Sequence, residues 1–117
     1  MIEFNFEYLG SFSENQIKII VKKAISQGLK EMDFKKKYYL SVLLTDNNGI
    51  KKINNKYRKI NKSTNVLSFP QNDERFITKK TSKIILGDIV ISLEKIMKES
   101  KLQKKQFSDH LAHMVIH

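Results

Sequence analysis

Ile84-Ile85-Leu86-Gly87-Asp88-Ile89-Val90-Ile91 is an apolar run broken only by one glycine and one carboxylate. Eight residues are too few for a typical buried helix, and the β-branched content fits a pleated surface, so the run predicts a strand. Gly87-Asp88 at its middle suggests a bulge or a close backbone approach. Asp88 has three readings: on an exposed edge, hydrogen-bonded within the fold, or near a site, because a bare carboxylate is costly among apolar neighbours. Directly after the strand, Ser92 is positioned to cap a helix with Leu93, Ile96 and Met97 turned inward.

Working outward, Asn65-Val66-Leu67-Ser68-Phe69-Pro70 predicts a second strand, closed by the only proline of the chain. Between the two strands, Gln71 to Lys83 is hydrophilic and without periodicity, which predicts a loop. Further upstream, Tyr38-Tyr39-Leu40-Ser41-Val42-Leu43-Leu44 is almost wholly apolar, as expected of an interior strand covered on both sides. The basic connector Lys35-Lys36-Lys37 precedes it. Turn chemistry follows in Thr45-Asp46-Asn47-Asn48-Gly49, and then Ile50, Ile53 and Tyr57 recur at helical spacing, ending on Tyr57-Arg58. At the N-terminus Ile2, Phe4, Phe6 and Tyr8 alternate with Glu3, Asn5 and Glu7, the period of a strand with one buried face. Ser13-Glu14-Asn15-Gln16 has the form of a capping box, Ile17, Ile20, Val21, Ala24 and Ile25 make a helical stripe, and Gly28 is the expected stop. Four strands interleaved with helices predict an α/β (α+β sandwich) fold, with an approximately four-stranded mixed sheet packed with helices. Residues 1–117 read as a single domain without repeats.

Composition narrows the partners. The chain has a formal charge of +10, and of its 22 basic residues only Arg58 and Arg75 are arginines. Such a charge suits a polyanion such as a nucleic acid, although a composition rich in lysine, isoleucine and asparagine also arises from coding bias. The excess is even: residues 1–58 and residues 59–117 each hold 11 basic and 6 acidic side chains, so the body is positive and there is no basic tail. With no cysteine, any metal must be held by His, Asp or Glu. An acidic, alternating start is unlike a signal peptide, and no apolar run approaches membrane-spanning length, so a cytoplasmic protein without a membrane partner is expected.

All three histidines fall in Phe107-Ser108-Asp109-His110-Leu111-Ala112-His113-Met114-Val115-Ile116-His117. Helical spacing puts His110, His113 and His117 on one face, beside an apolar stripe of Phe107, Leu111, Met114 and Val115. Imidazoles four apart on a helix can grip one Zn²⁺, and the same spacing also serves surface or hydrogen-bonded core histidines. Met114 stands where a His-Glu-x-x-His peptidase carries its glutamate, which argues against that chemistry. The pattern stops without a helix-ending residue, so this histidine-bearing C-terminal helix is expected to be incomplete.

Asn54-Asn55-Lys56-Tyr57-Arg58, Thr64-Asn65-Val66-Leu67-Ser68-Phe69-Pro70, Leu86-Gly87-Asp88-Ile89-Val90-Ile91-Ser92 and His110 to His117 resemble, in order, the signature blocks of the bacterial YbeY family. The resemblance runs from about Ile50 to the end. It implies a zinc-dependent, single-strand-specific endoribonuclease acting in 16S rRNA 3′-end maturation and ribosome quality control, with single-stranded RNA, ribosomal RNA and the small ribosomal subunit as partners. It implies His117 as the first of three metal ligands, the other two lying past the last residue, so that a C-terminally truncated domain inactive by itself is expected. His113, one turn earlier, then packs or orients instead of binding metal. Arg58 becomes the expected catalytic residue, because a guanidinium presents a fixed fork of donors to phosphate and stays charged; its plainer reading is a cation favourable to a helix C-terminus. Ser68 and Asp88 are expected to support the site. Asn61, Ser63 and Asn65 depart from the residues usual in the family. A non-catalytic basic module that docks on ribosomal RNA or on the ribosome through a ribosomal protein, or a degraded remnant, are the alternatives.

Overall fold

A computed structural model of the chain describes residues 1–70 and 83–116; the predicted loop from Gln71 to its penultimate residue, Arg75 and His117 lie outside the described residues. Within them the order is β1 (Ile2–Phe6), α1 (Glu14–Glu31), β2 (Lys37–Thr45), α2 (Asn47–Arg58), β3 (Val66–Pro70), β4 (Lys83–Ser92), α3 (Leu93–Leu102) and α4 (Phe107–Ile116). The sheet order is β1-β2-β4-β3, with β1, β2 and β4 parallel and β3 antiparallel on β4. This is the expected mixed four-stranded α/β sheet.

Alternation divides the sheet into two unequal faces. On one, Leu40, Val42 and Leu44 of β2 and Ile91 of β4 meet Ile17 and Val21 of α1, Leu93 and Ile96 of α3, and Leu111 and Val115 of α4 in a single core. Each such side chain contributes roughly 1.5–3 kcal/mol by leaving water, and this core holds the layers together. The stacked rings of Phe12 and Phe107, 4.1 Å between centroids, tie the lead-in of α1 to the start of α4. Among the described residues the other face carries only α2, whose Ile50 packs on Leu67 and Val90 with Ile53, Leu43 and Phe69 around them. The prediction of a β2 covered on both sides is therefore corrected: its second face, Tyr39, Ser41 and Leu43, is half-buried, because α2 spans one end of the sheet only.

Local signals met different fates. The Ser13 capping box forms in full, the hydroxyl accepting from the Gln16 amide while the Gln16 side chain accepts from Ser13 N–H. Gly28 does not stop α1, which runs on to Glu31 and closes on Met32. A Cβ at Gly28 would meet Ile116 of α4 only at an ordinary 3.9 Å, so the glycine sits in plain helical backbone, and the turn at Asp33 with its positive φ reverses the chain instead. The bulge in β4 is present: Tyr39 and Leu40 of β2 face Ile85 and Gly87, leaving Leu86 as the extra residue, and Gly87 has φ 130°, open to glycine.

Candidate active site

Arg58 is the last residue of α2, and both ends of that helix are fixed by polar contacts. At its start Asp46 accepts from the Gly49 amide at 2.8 Å, and Asn47 joins the β4–α3 junction, accepting from the Ser92 hydroxyl at 2.8 Å while its amide donates to Glu94 at 2.9 Å. At its end Lys59 turns left-handed (φ 57°), and the amides of Lys59 and Ile60 close on the carbonyls of Asn55 and Asn54. Buried Asn54 then donates to the Lys62 carbonyl at 2.9 Å, pinning the loop that leads into β3.

Across that loop the Arg58 guanidinium donates from Nη2 to the Ser68 carbonyl at 3.0 Å and lies 5.4 Å from the centre of the Phe69 ring. The carbonyl is available because β3 is an edge strand. One N–H is thereby used to aim the group, and the side chain as a whole remains exposed, with further donors that no described residue engages. Phe69 is the cross-strand partner of Asp88, so three predicted residues, Arg58, Ser68 and Asp88, share one neighbourhood. Ser68 contributes through its backbone; Asp88 is exposed, on the open face of an interior strand and not on an edge.

The histidine helix does not present a uniform row of imidazoles. His110 is buried, at 3% exposure, whereas His113 faces outward on the exposed side of α4. Three residues on a helix are offset by about 60°, enough for the burial boundary to pass between them. His110 Nε2 lies 3.0 Å from Glu99 Oε1, and the Asn65 amide donates to the same carboxylate at 3.2 Å and to Met114 Sδ at 3.3 Å. The Nε2–H tautomer gives that carboxylate a donor and leaves on the partnerless Nδ1 a lone pair and not an orphaned N–H, which is the cheaper arrangement. Asn65 also accepts from the Ser92 amide at 2.9 Å, so the residue before β3 is locked to α3, α4 and the end of β4 at once. Sequence reasoning missed this hub of Asn65, Glu99 and His110; the available signal was a carboxylate and an imidazole, each on an amphipathic helix, at positions the apolar stripe turns inward.

Ser68, Val115 and Ile116 line one cavity of about 310 Å³, which brings the C-terminal end of α4 to the strand whose carbonyl aims Arg58. His117 follows directly and lies outside the described residues. Among the described residues no group of three or more His, Cys, Asp or Glu could hold a metal ion, and no helix is long and apolar enough to cross a membrane.

A mixed four-stranded α/β sheet, with an arginine of α2 held by a carbonyl of the edge strand β3 near the end of a histidine helix, offers an anion such as phosphate a preset donor. The chain belongs to the endoribonuclease YbeY family, whose description it matches over residues 3–117. It is 37% identical over 119 residues to the endoribonuclease YbeY of Ehrlichia chaffeensis, an alignment taking in all of this chain and 73% of that protein. To that of Bartonella quintana it is 42% identical over 78 residues, covering 67% of this chain and 48% of the relative. The solution structure of TM1509 from Thermotoga maritima shares the fold, with a TM-score of 0.65 at 20% identity over all of this chain and 68% of that one.

Proposed function

We propose that the chain is the Arg58-bearing body of an endoribonuclease that hydrolyses single-stranded RNA, acting in the cytoplasm on the 3′ end of 16S ribosomal RNA in the small subunit. The observation that carries the reading is the guanidinium of Arg58, fixed by the Ser68 carbonyl yet open to solvent. Membership of a family whose curated relatives are named endoribonucleases supports it. Attack on a phosphodiester gathers negative charge on the non-bridging oxygens. A preset fork of N–H donors meets that charge without having to reorganise, and removing one such donor costs about 10²–10³ in rate. Phe69 beneath the guanidinium and the carbonyl beside it restrict its rotamers, so less order is lost when phosphate arrives.

We assign the first metal ligand to His117, with His113 one turn earlier orienting the helix end and Asp88 supporting the site. A metal such as Zn²⁺ supplies an activated water when it is bound. The described residues by themselves do not form a ligand set for it. The test compares this chain with one lengthened to the full span of its Ehrlichia relative, each loaded with Zn²⁺. Stoichiometric zinc and cleavage of a single-stranded oligoribonucleotide are expected from the longer chain, both lost with chelator, and cleavage lost in Arg58→Ala. Equal, stoichiometric zinc in both chains, or cleavage unchanged by Arg58→Ala, would overturn the assignment.

A further inference from the structure

The open face of the sheet next to Arg58 is a groove of about 800 Å³, walled on one side by Tyr57 and Lys56 of α2, floored by Leu43 and Phe69, and bounded across by Asp88 and Asn5. Tyr57 is the odd member. Helical spacing marked it as core, yet it is 62% exposed, and it meets Phe69 in an edge-type contact, with centroids 5.6 Å apart and planes at 62°. A large ring left more than half in water beside a groove has apolar surface to offer, and the flexible lysine over it can move aside. Cations frame both rings: Lys56 Nζ stands 5.2 Å from the Tyr57 centroid, and the Arg58 guanidinium 5.4 Å from that of Phe69.

The charge around this wall is also one-sided. From Asn47 to Pro70 the sequence holds six cations, Lys51, Lys52, Lys56, Arg58, Lys59 and Lys62, and no Asp or Glu. All six are exposed. A cationic ridge with an aromatic plate at its inner margin matches a polyanionic chain whose flat groups turn inward, the combination by which single-stranded nucleic acid is held without base pairing. The carboxylate of Asp88 and the amide of Asn5 across the groove suit hydrogen-bonding edges of bases and repel phosphate, which fixes the polarity of the strand: backbone along α2, bases over the sheet.

We infer that Tyr57 is a base-stacking platform that seats an unpaired nucleotide next to Arg58, and that this seat is what selects single-stranded over double-stranded RNA. The inference rests on the RNA reading of the Arg58 site and goes beyond it by naming the group that recognises the base. A paired base has both faces stacked on its neighbours and cannot reach Tyr57, whereas a base in a single strand can. Tyr57 touches the substrate without taking part in proton transfer, so its removal weakens binding and leaves the bound phosphate's chemistry intact.

The experiment is fluorescence anisotropy of the 117-residue chain with three labelled probes of equal phosphate count: a single-stranded oligoribonucleotide, the same backbone made abasic, and a duplex. Chelator is present throughout, so binding is read without cleavage. The wild-type chain is expected to bind the single strand more tightly than the abasic strand. Tyr57→Ala should lose about five- to a hundredfold on the single strand and stay within about twofold on the abasic one; Tyr57→Phe should hold wild-type affinity. Lys52→Ala, away from the ring, should weaken all three probes alike and flatten the salt dependence. Circular dichroism on Tyr57→Ala checks the fold, which an exposed ring does not anchor. Equal binding of single-stranded and abasic probes by the wild-type chain, or equal losses on both in Tyr57→Ala, overturns the inference and leaves the groove to a protein partner. Such failures do not touch the endoribonuclease reading, which stands or falls on cleavage by the longer chain; base-dependent binding with no cleavage there would sink that reading and spare this one.

Discussion

Replacing Glu99 by alanine tests whether the hub joining α3, α4 and the start of β3 stabilises the fold. The carboxylate accepts from the His110 ring at 3.0 Å and from the Asn65 amide at 3.2 Å, and no other described acceptor serves His110 Nε2. Hydrogen bonds to a charged acceptor are worth about 1.5–3 kcal/mol each, and a buried donor left without a partner forfeits its desolvation as well. The Glu99 side chain keeps 27% of its surface, so water reaches the Asn65 side of the gap and recovers part of the loss, whereas His110 at 3% is out of reach. The net loss is about 2–4 kcal/mol, a large share of the stability of a domain this size. In urea, with a slope of about 1.5 kcal/mol/M, the midpoint should fall by about 1–2.5 M. Glu99→Gln retains one acceptor and should lose about 1 kcal/mol. A cycle with His110→Phe sharpens the test, because the second substitution removes the orphan created by the first. His110→Phe should therefore cost less in the Glu99→Ala background than in the wild type. Additive losses, or a Glu99→Ala midpoint within about 0.3 M of wild type, would mean the hub is ornamental.

Three other substitutions probe how Arg58 is held. Gly49→Ala would put a methyl 2.0 Å from the Thr45 hydroxyl and 3.1 Å from its Cβ; a loss of about 1–3 kcal/mol is expected by thermal melting, with Thr45→Ala in the same chain recovering part of it. Lys59→Gly relieves the left-handed backbone at φ 57° and should stabilise by about 0.5–1 kcal/mol, read as a melting temperature a few degrees higher. Arg58→Lys keeps the charge but not the fork, so cleavage by the longer chain should drop about ten- to a hundredfold while salt dependence of binding is unchanged.

Period and composition found every described strand and helix, because alternation and helical spacing are imposed by burial on one face. They failed where burial was not periodic. Tyr57 falls on the inward spacing of α2, but the helix runs past the covered part of the sheet before its last turn, so the ring emerges into a groove. Gly28 was a stop signal by composition; α1 runs through it to Glu31, because glycine tolerates helical backbone as well as a left-handed turn and the chain reverses at Asp33. The histidines read as one row since spacing says nothing of how far the core wraps round a helix. Arg58 and Ser68 were both singled out, while the bond between them was not, since Ser68 acts through a carbonyl that every residue possesses.

That last contact ties the site to the hub. Arg58 is aimed by β3, and among the described residues β3 is an edge strand of five residues, held on one side only by β4. Such a strand has half the ladder bonds of an interior one and would be free to slip. Its position is set instead at the residue before it, where Asn65 engages Glu99, Met114 and the Ser92 amide. The same Ser92 holds the other end of α2 through Asn47. One serine and two asparagines thus register both the helix that carries the guanidinium and the strand that aims it against the helices bearing Glu99 and His110. A loosened hub should therefore disorder Arg58 before it unfolds the core, lowering cleavage by the longer chain in Glu99→Gln by more than its small stability loss accounts for.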